Sequence, residues 1–222
     1  TGTRRLGKRL ILTFDDDLFL VIHLMVAGRL YWLDPGAKGG KNQLAALDFE
    51  HGTLLLTEAA SKKRASLWVV RGEEQLLADH DRGGLEPLEI DLATFSARLT
   101  EQNRTLKRAL TMPAIFSGIG NAYSDEILLH AKLSPVKRTG QLSDDEIEQV
   151  WTIAHQQLVR NRSRPSRKTT RTDVPGRTYV YDRWRLACRR CSDSVLFSPA
   201  GQVTARSTYW CPRCQPTSTV TA

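Results

Sequence analysis

The sequence has neither a long apolar run nor many cysteines. A membrane-spanning helix needs about 20 apolar residues, and the apolar stretch LFLVIHLMVAG is shorter and contains His23. No secretory signal segment is recognisable. With four cysteines in 222 residues, and nothing that suggests an oxidising compartment, a disulfide-stabilised secreted domain is disfavoured. We therefore expect no membrane association.

Acidic residues are also in short supply. The chain has 32 Lys and Arg against 24 Asp and Glu, which gives a formal net charge of +8 and an isoelectric point near 9.6. Such a balance favours an anionic partner, most often nucleic acid and less often a membrane surface. The alternative is a basic surface that is merely solvated. The 41% hydrophobic content allows well-formed cores in one large or two modest domains.

The four cysteines form two CxxC pairs, Cys188/Cys191 and Cys211/Cys214, separated by 19 residues. Two such turns on a short hairpin supply the four thiolates of a tetrahedral zinc site. A redox site would need only one pair, in a βαβ setting that this sequence lacks, and two disulfides would need an oxidising compartment. The spacing therefore predicts one structural Zn²⁺.

The pattern along the chain predicts an α+β protein. Short apolar runs with Gly, Pro and Asp turns predict a β-sandwich over residues 1–81. A linker at 82–91 precedes a helical module at 92–160, in which Ser143 and Glu146 form a capping box. A basic loop at 161–178, a zinc finger at 179–215 and a tail at 216–222 follow. The density of arginine around 160–177 favours a phosphate-facing loop over a plain linker.

The stretch FSGIGNAYSDEIL contains a glycine-rich turn before a helix. Gly118 and Gly120 leave the backbone N–H groups at the helix start accessible, and Asn121 can cap the helix and donate a hydrogen bond. Phosphate binds well at such a helix N-terminus. By itself the pattern is more often an ordinary turn, so its context decides how it is interpreted.

That context resembles the formamidopyrimidine-DNA glycosylase and endonuclease VIII family of helix–two-turn–helix DNA repair enzymes. The similar motifs follow the family's order across nearly the whole chain: RRLGKRL (4–10), HLMVAGRL (23–30), GLEPLE (84–89), LKRAL (106–110), GIGNAYSDEIL (118–128), LSP (133–135), VYDR (180–183) and the cysteine hairpin. The resemblance implies a β-sandwich, a helix–two-turn–helix module and a zinc finger. It also implies excision of a flipped-out damaged base from duplex DNA, followed by cleavage at the abasic site.

The resemblance also implies roles for individual residues. Lys8 corresponds to a cleft lysine that contacts phosphate beside the lesion, and it is the one catalytic candidate in the chain. Asn121 corresponds to the phosphate-binding asparagine of the helical module. Arg206 corresponds to the zinc-finger arginine that grips the phosphates flanking the flipped nucleotide. Lys107, in the LKRAL motif, is likewise expected to bind DNA.

Some positions depart from the family pattern. The family's N-terminal Pro-Glu, which supplies nucleophile and acid, is replaced by Thr-Gly-Thr, so we expect the chain to lack the N-terminal catalytic segment, its sandwich to be incomplete at the start, and its activity to be impaired. Val26 replaces a duplex-filling methionine. Arg64 is expected to pair with the orphaned base, while Ala65 replaces an aromatic wedge. Glu126 is expected to orient a loop or cap rather than to catalyse.

Three hypotheses follow from the sequence. The first is a DNA glycosylase and abasic-site lyase, acting as a monomer on damaged duplex DNA in the cytoplasm at the nucleoid. The second is a non-catalytic remnant that recognises lesions or abasic sites. The third is a zinc-ribbon accessory that binds RNA or protein, which is disfavoured because the Gly-Asn helix start, the capping box and the Arg206 hairpin occur in the family's order.

Overall fold

The computed structural model describes residues 2–162 and 178–216, with the backbone alone described at 161 and 162. The chain divides into two compact units, Thr1–Asp81 and Arg82–Ala222. Strands dominate the first unit, and helices followed by a cysteine hairpin make up the second. The predicted α+β class is confirmed.

The first unit contains two antiparallel sheets and one helix. One sheet has the strand order β1-β2-β3-β7 and the other the order β4-β6-β5. The strands are β1 (Gly2–Leu6), β2 (Arg9–Thr13), β3 (Leu18–His23), β4 (Gly28–Leu33), β5 (Gln43–Phe49), β6 (Gly52–Glu58) and β7 (Ser66–Arg71), and helix α1 (Glu73–His80) follows them. Strand β3 is nearly all apolar because it lies inside its sheet, between β2 and β7.

The sequence pattern does not predict helix α1, since the short apolar runs of this unit favour strands. Gly72, the residue before the helix, has φ 89°. This conformation favours glycine and turns the chain out of strand β7. Glu73 and Glu74 lie in its first turn, where carboxylates interact favourably with the helix dipole. Leu76 is fully buried in the core that β2, β3 and β7 form. Glu73 also pairs with Arg4, and the His80 ring packs against Trp68, so tertiary contacts stabilise a helix too short to show a clear period.

The second unit has a helical core. Its helices are α2 (Leu92–Thr100), α3 (Leu106–Thr111), α4 (Asn121–His130) and α5 (Asp144–Arg162). The predicted capping box at the start of α5 is confirmed, because the Ser143 N–H donates to Glu146 Oε2 at 3.0 Å and the Glu146 N–H donates to Ser143 Oγ at 3.3 Å. Helix α2 is capped by Asp91, whose carboxylate accepts from the Thr94 N–H.

The segment predicted as a linker packs against this second unit. Leu85 forms a parallel bridge with Phe116; its N–H donates to the Ile115 carbonyl and its carbonyl accepts from the Ser117 N–H. Leu85 and Ile90 pack against the helical core. Residues 82–91 are thus anchored on the helices by at least these contacts.

The last described part of the chain is a cysteine hairpin with strands β8 (Leu196–Ser198) and β9 (Thr208–Trp210), which pair antiparallel. Its small core contains Val180, Val195 and two cysteines packed with Leu129 of α4. Most of the predicted basic loop lies outside the described residues. Across the part of the chain that the structure covers, the helices are too short or too polar to cross a membrane.

Candidate nucleic-acid interface

Helix α4 carries the cysteine hairpin along one of its faces. At its first residue, Asn121 Nδ2 donates to Ser207 Oγ at 2.9 Å. One turn later, Asp125 Oδ2 accepts from the Tyr209 N–H at 3.2 Å. At the helix end, the Arg190 guanidinium donates to the Leu129 carbonyl at 3.0 Å. The Leu129 side chain also packs in the core of the hairpin, so residues 121, 125 and 129 follow the four-residue spacing of a single helix face.

The start of α4 follows a glycine-rich turn. Gly118 has φ 85°, a conformation that side chains rarely adopt, and Gly120 is the extended N-cap residue. The first N–H groups of an α-helix have no partner within the helix, and the helix dipole there favours negative charge. The bond from Asn121 to Ser207 brings this helix start next to Arg206.

The backbone of Arg206 is fixed from both sides. Its carbonyl accepts from Thr204 Oγ1 at 2.6 Å and from Thr208 Oγ1 at 2.9 Å, and its N–H donates to Thr204 Oγ1 at 3.3 Å. Both threonines are buried, whereas Arg206 is exposed. The exposed guanidinium thus starts from an ordered main chain, which reduces the entropy lost when it binds a ligand.

Lys107 does not face solvent, so the prediction that it binds DNA is wrong in this structure. The side chain is fully buried. Its ammonium donates to Asp125 Oδ1 at 2.6 Å, to Ser124 Oγ at 2.9 Å and to the Asn121 carbonyl at 2.9 Å. These three acceptors use all three of the donors that a lysine ammonium has. Lys107 instead connects α3 to the first two turns of α4.

Burial shifts both members of this ion pair toward their neutral forms. It raises the pKa of Asp125 to about 7, although the nearby Lys107 charge opposes that rise. Burial likewise lowers the pKa of Lys107, against the attraction of Asp125, and the positive charge of Arg206 lowers it a little further.

Glu126 holds the chain where it enters the cysteine hairpin. Its buried carboxylate accepts from the backbone N–H groups of Tyr179, Val180 and Tyr181 at 2.9–3.0 Å. Three parallel donors make a small anion site within the protein, and charge-assisted bonds of this kind are stronger than neutral ones. The expectation that Glu126 orients a loop is confirmed.

Replacing Glu126 by glutamine should destabilise the second unit by about 1–3 kcal/mol, because a neutral amide oxygen makes weaker hydrogen bonds to the three N–H groups than the charged carboxylate does. The free energy of unfolding, measured in urea, checks this. Glu148→Gln on the exposed face of α5 removes the same charge and should change little. Equal stability of the two variants would show that the three N–H groups do not depend on the carboxylate.

The four cysteines form one cluster. Cys188, Cys191, Cys211 and Cys214 are free thiols whose Sγ atoms all lie within 4.8 Å of one another. Tetrahedral zinc bonded to sulfur at about 2.3 Å sets the sulfur atoms about 3.8 Å apart, so the cluster fits that ion. Each CxxC turn closes similarly, by the Ser192 N–H to the Cys188 carbonyl and the Gln215 N–H to the Cys211 carbonyl.

The thiols need a cation to ionise together. Burial raises the pKa of Cys211 to about 11 and that of Cys214 to about 12, while the backbone bond from Asp193 lowers the pKa of Cys191. A thiolate is the form that binds metal, so metal binding would release protons from this cluster. The residues present therefore suit a thiophilic divalent ion.

In the first unit, strand register places three predicted residues at one end. Lys8 lies in the β1–β2 turn, and β2 starts where Arg9 pairs with His23. Val26 follows β3 in the turn to β4, and Arg64 precedes Ser66, which also pairs with His23. All three are exposed, Val26 by 80%. Lys8, Val26 and Arg64 therefore emerge from adjacent strand ends.

His23 lies at the base of this group. Burial lowers its pKa, and the positive charges of Arg9 and Lys8 lower it further. The neutral imidazole is therefore favoured near neutral pH, as expected for a packed histidine. The positive charge at this end of the unit therefore comes from the lysine and arginine side chains.

Comparison with known proteins places this geometry in context. The family model described as "Formamidopyrimidine-DNA glycosylase H2TH domain" matches residues 84–170. A formamidopyrimidine-DNA glycosylase of Acidovorax ebreus is 33% identical over 227 residues, covering 96% of this chain and 81% of the relative. The chain belongs to the formamidopyrimidine-DNA glycosylase family. The corresponding protein of Lactobacillus gasseri is 28% identical, covering 95% of this chain and 79% of the relative.

Solved structures of this family have the same fold. A structure of MutM in complex with carbocyclic 8-oxo-G containing DNA has a TM-score of 0.81 at 25% identity, covering 98% of this chain and 82% of the other. A complex of Lactococcus lactis Fpg (MutM) with DNA containing FAPY-dG has a TM-score of 0.82, at the same identity and coverage. A further Lactococcus lactis complex contains an abasic site in its DNA.

Sequence reasoning about this glycosylase-family chain missed the residues that hold the interface together. Asp125, Thr204 and Thr208 were not singled out, yet each fixes a predicted residue or its neighbour. A signal for Asp125 was present, because an acid inside an apolar helix stretch such as DEILL needs a cation when it is buried. The threonines carry no comparable signal, since the sequence does not show which hydroxyls face Arg206.

Proposed function

We propose that this protein is a base-excision repair enzyme, a DNA glycosylase and abasic-site lyase that binds duplex DNA carrying an oxidised base or an abasic site. The observation that carries the proposal is the bond from Asn121 to Ser207, which sets the N-terminus of α4 beside the exposed Arg206. Two neighbouring phosphates of one DNA strand match such a pair of positive groups. The named relatives support the substrate class, because their complexes contain 8-oxo-G, FAPY-dG or abasic-site DNA.

The helix start and Arg206 bind phosphate by different means in this proposal. The backbone N–H groups of α4 and the Asn121 amide give short-range hydrogen bonds. Arg206 contributes a full charge and a planar fork of donors that matches phosphate oxygens. One structural Zn²⁺, held by the four cysteines, keeps the hairpin and therefore Arg206 in place.

The first unit supplies the groups that act near the lesion. Lys8 contacts phosphate and is the catalytic candidate, Val26 fills the space left by the flipped nucleotide, and Arg64 pairs with the orphaned base. Their placement at one end of the strands supports this assignment. We propose that the protein works as a monomer on nucleoid DNA in the cytoplasm, and family membership favours this function over a zinc-ribbon accessory for RNA or protein.

Replacing Arg206 by alanine should weaken binding to duplex DNA by roughly tenfold or more, since a hydrogen bond to a charged group contributes about 1.5–3 kcal/mol. The loss should be similar for all flanking sequences. The slope of log affinity against log salt should fall by about 0.9, because one phosphate contact is lost. Fluorescence anisotropy with a labelled duplex that contains tetrahydrofuran, a stable abasic-site analogue, measures both quantities.

The matched control is Arg213→Ala. Arg213 is exposed between Cys211 and Cys214, so the variant loses the same charge from the same hairpin, away from the Asn121–Ser207 contact. It should lose little affinity. If the two variants bind equally, Arg206 acts only through net charge, and the proposed phosphate site at the start of α4 is wrong.

A further inference from the structure

The loop that carries Arg64 is closed by a single buried carboxylate. Glu58 ends β6 and is 1% exposed. Its Oε2 accepts from the Arg64 N–H at 2.7 Å and from the Ala65 N–H at 3.0 Å. Residues 59–65 between Glu58 and β7 have no regular secondary structure. The carboxylate therefore joins the two ends of an otherwise irregular loop.

The main chain of Arg64 is held from both sides. Its N–H donates to Glu58, and its carbonyl accepts from Ser66 Oγ at 3.1 Å. The neighbouring Lys63 is directed to the base of the loop, where its ammonium donates to the Glu58 carbonyl. Arg64 itself is exposed. Lys63 thus folds back onto the loop, whereas Arg64 is exposed and its backbone is held at two points.

Glu58 also lies at the root of the turn that carries Val26. It pairs with Gly28 across β4 and β6, and the Gly28 N–H closes the turn by donating to the Leu24 carbonyl at 2.9 Å. A Cβ at Gly28 would lie 2.4 Å from that carbonyl oxygen, so the position requires glycine. The Arg64 loop and the Val26 turn therefore start from the same residue pair.

We infer that Glu58 is a positioning residue for Arg64 and, through it, sets the preference of the protein for the base opposite the lesion. This inference rests on the proposed function, in which Arg64 contacts that base. A charged acceptor for two adjacent N–H groups fixes where the arginine side chain starts. Arginine distinguishes bases by two hydrogen bonds of defined geometry. A displaced Arg64 backbone should therefore reduce the discrimination between opposite bases more than the overall affinity for DNA.

The experiment uses the full chain, four duplexes with tetrahydrofuran opposite C, A, G or T, and one undamaged duplex of the same length. Anisotropy gives the affinity of the wild type, Glu58→Ala, Glu58→Gln, Arg64→Ala and the double alanine variant for each duplex. We expect the wild type to prefer one opposite base by roughly tenfold or more, the range of one good arginine–base contact. Glu58→Ala and Arg64→Ala should each abolish the preference for one opposite base. The double variant should lose no more of this preference than either single variant.

Two comparisons separate positioning from a merely structural role. Glu58→Gln keeps an oxygen that can accept both N–H groups, so it should retain most of the preference. Val70→Ala shortens a buried side chain in the same unit and lowers the melting temperature without touching the loop. It should keep the full preference even where its melting temperature matches that of Glu58→Ala.

The outcomes are distinct. The inference is overturned if Glu58→Ala keeps the preference while Arg64→Ala loses it, or if the losses of the two variants add. It is also overturned if Val70→Ala loses the preference equally, or if the wild type binds all four duplexes alike. If the wild type binds none of the duplexes more tightly than undamaged DNA, the proposed function itself fails, and with it the inference.

Discussion

Replacing Cys211 by serine should remove the bound metal, unfold the hairpin and reduce DNA affinity at least as much as the loss of Arg206. Structural zinc contributes about 10–16 kcal/mol of binding free energy in zinc-finger peptides near neutral pH. The apolar core of the hairpin is small: Val180, Val195 and two of the cysteines pack on Leu129, with Tyr179, Tyr209 and the other two cysteines partly buried against them. A core of that size does not fold without a crosslink or metal.

The metal content of purified protein, by mass spectrometry of the dissolved ions, should be about one zinc per chain in the wild type and near zero in Cys211→Ser. Pro212→Ala is the matched control, because Pro212 is exposed in the same CxxC turn and offers no ligand. It should keep both metal and DNA affinity. A Cys211→Ser protein that binds DNA like the wild type would show that Arg206 is held without metal, by Thr204 and Thr208 alone.

The parts of this molecule that the sequence predicts well are those in which chemistry acts over a few residues. Ser143 and Glu146 are three apart and satisfy each other's N–H groups, so the pattern alone predicts the helix start. The CxxC turns are equally local. Helix α1 was missed because Leu76 has its contacts in β2, β3 and β7, which the residues around it do not reveal.

The candidate interface depends on contacts between distant residues. Lys107 was expected to bind DNA because its LKRAL motif resembles that of the family, and a short motif does not show whether its lysine is exposed. Its partner Asp125 is 18 residues away, and only the packing of α3 on α4 brings the two together. A similar reason applies to one end of the first unit, where Lys8, Val26 and Arg64 lie. The pairing register of distant strands decides which turns are neighbours.

Replacing Lys107 by methionine should cost about 3–5 kcal/mol of stability, the range measured when one partner of a buried ion pair is removed. Methionine fills a similar volume, so the cost comes from leaving Asp125 without its cation. The Asn121 carbonyl and Ser124 Oγ also lose a donor. Because Asp125 holds the Tyr209 N–H, the start of α4 and the hairpin should loosen together, and DNA binding should weaken.

The effect of Lys107→Met should grow with pH. Asp125 has a pKa raised from 3.8 to about 7 by burial, and removing the nearby positive charge raises it further. A carboxyl whose pKa is higher in the folded than in the unfolded chain binds its proton more tightly when folded. Its contribution to stability therefore falls as pH rises from about 4 through the folded pKa. Urea unfolding at pH 5 and pH 8 should show the larger loss at pH 8.

Two further variants decide whether the pair acts as a unit. Lys132→Met removes an exposed charge and should leave stability nearly unchanged. Lys107→Met combined with Asp125→Leu removes both buried charges and should recover much of the lost stability. DNA affinity should stay low in that double variant, because the bonds from the pair to Asn121 and Tyr209 are gone. Recovery of affinity together with stability would show that the pair supports the fold alone and does not position the interface.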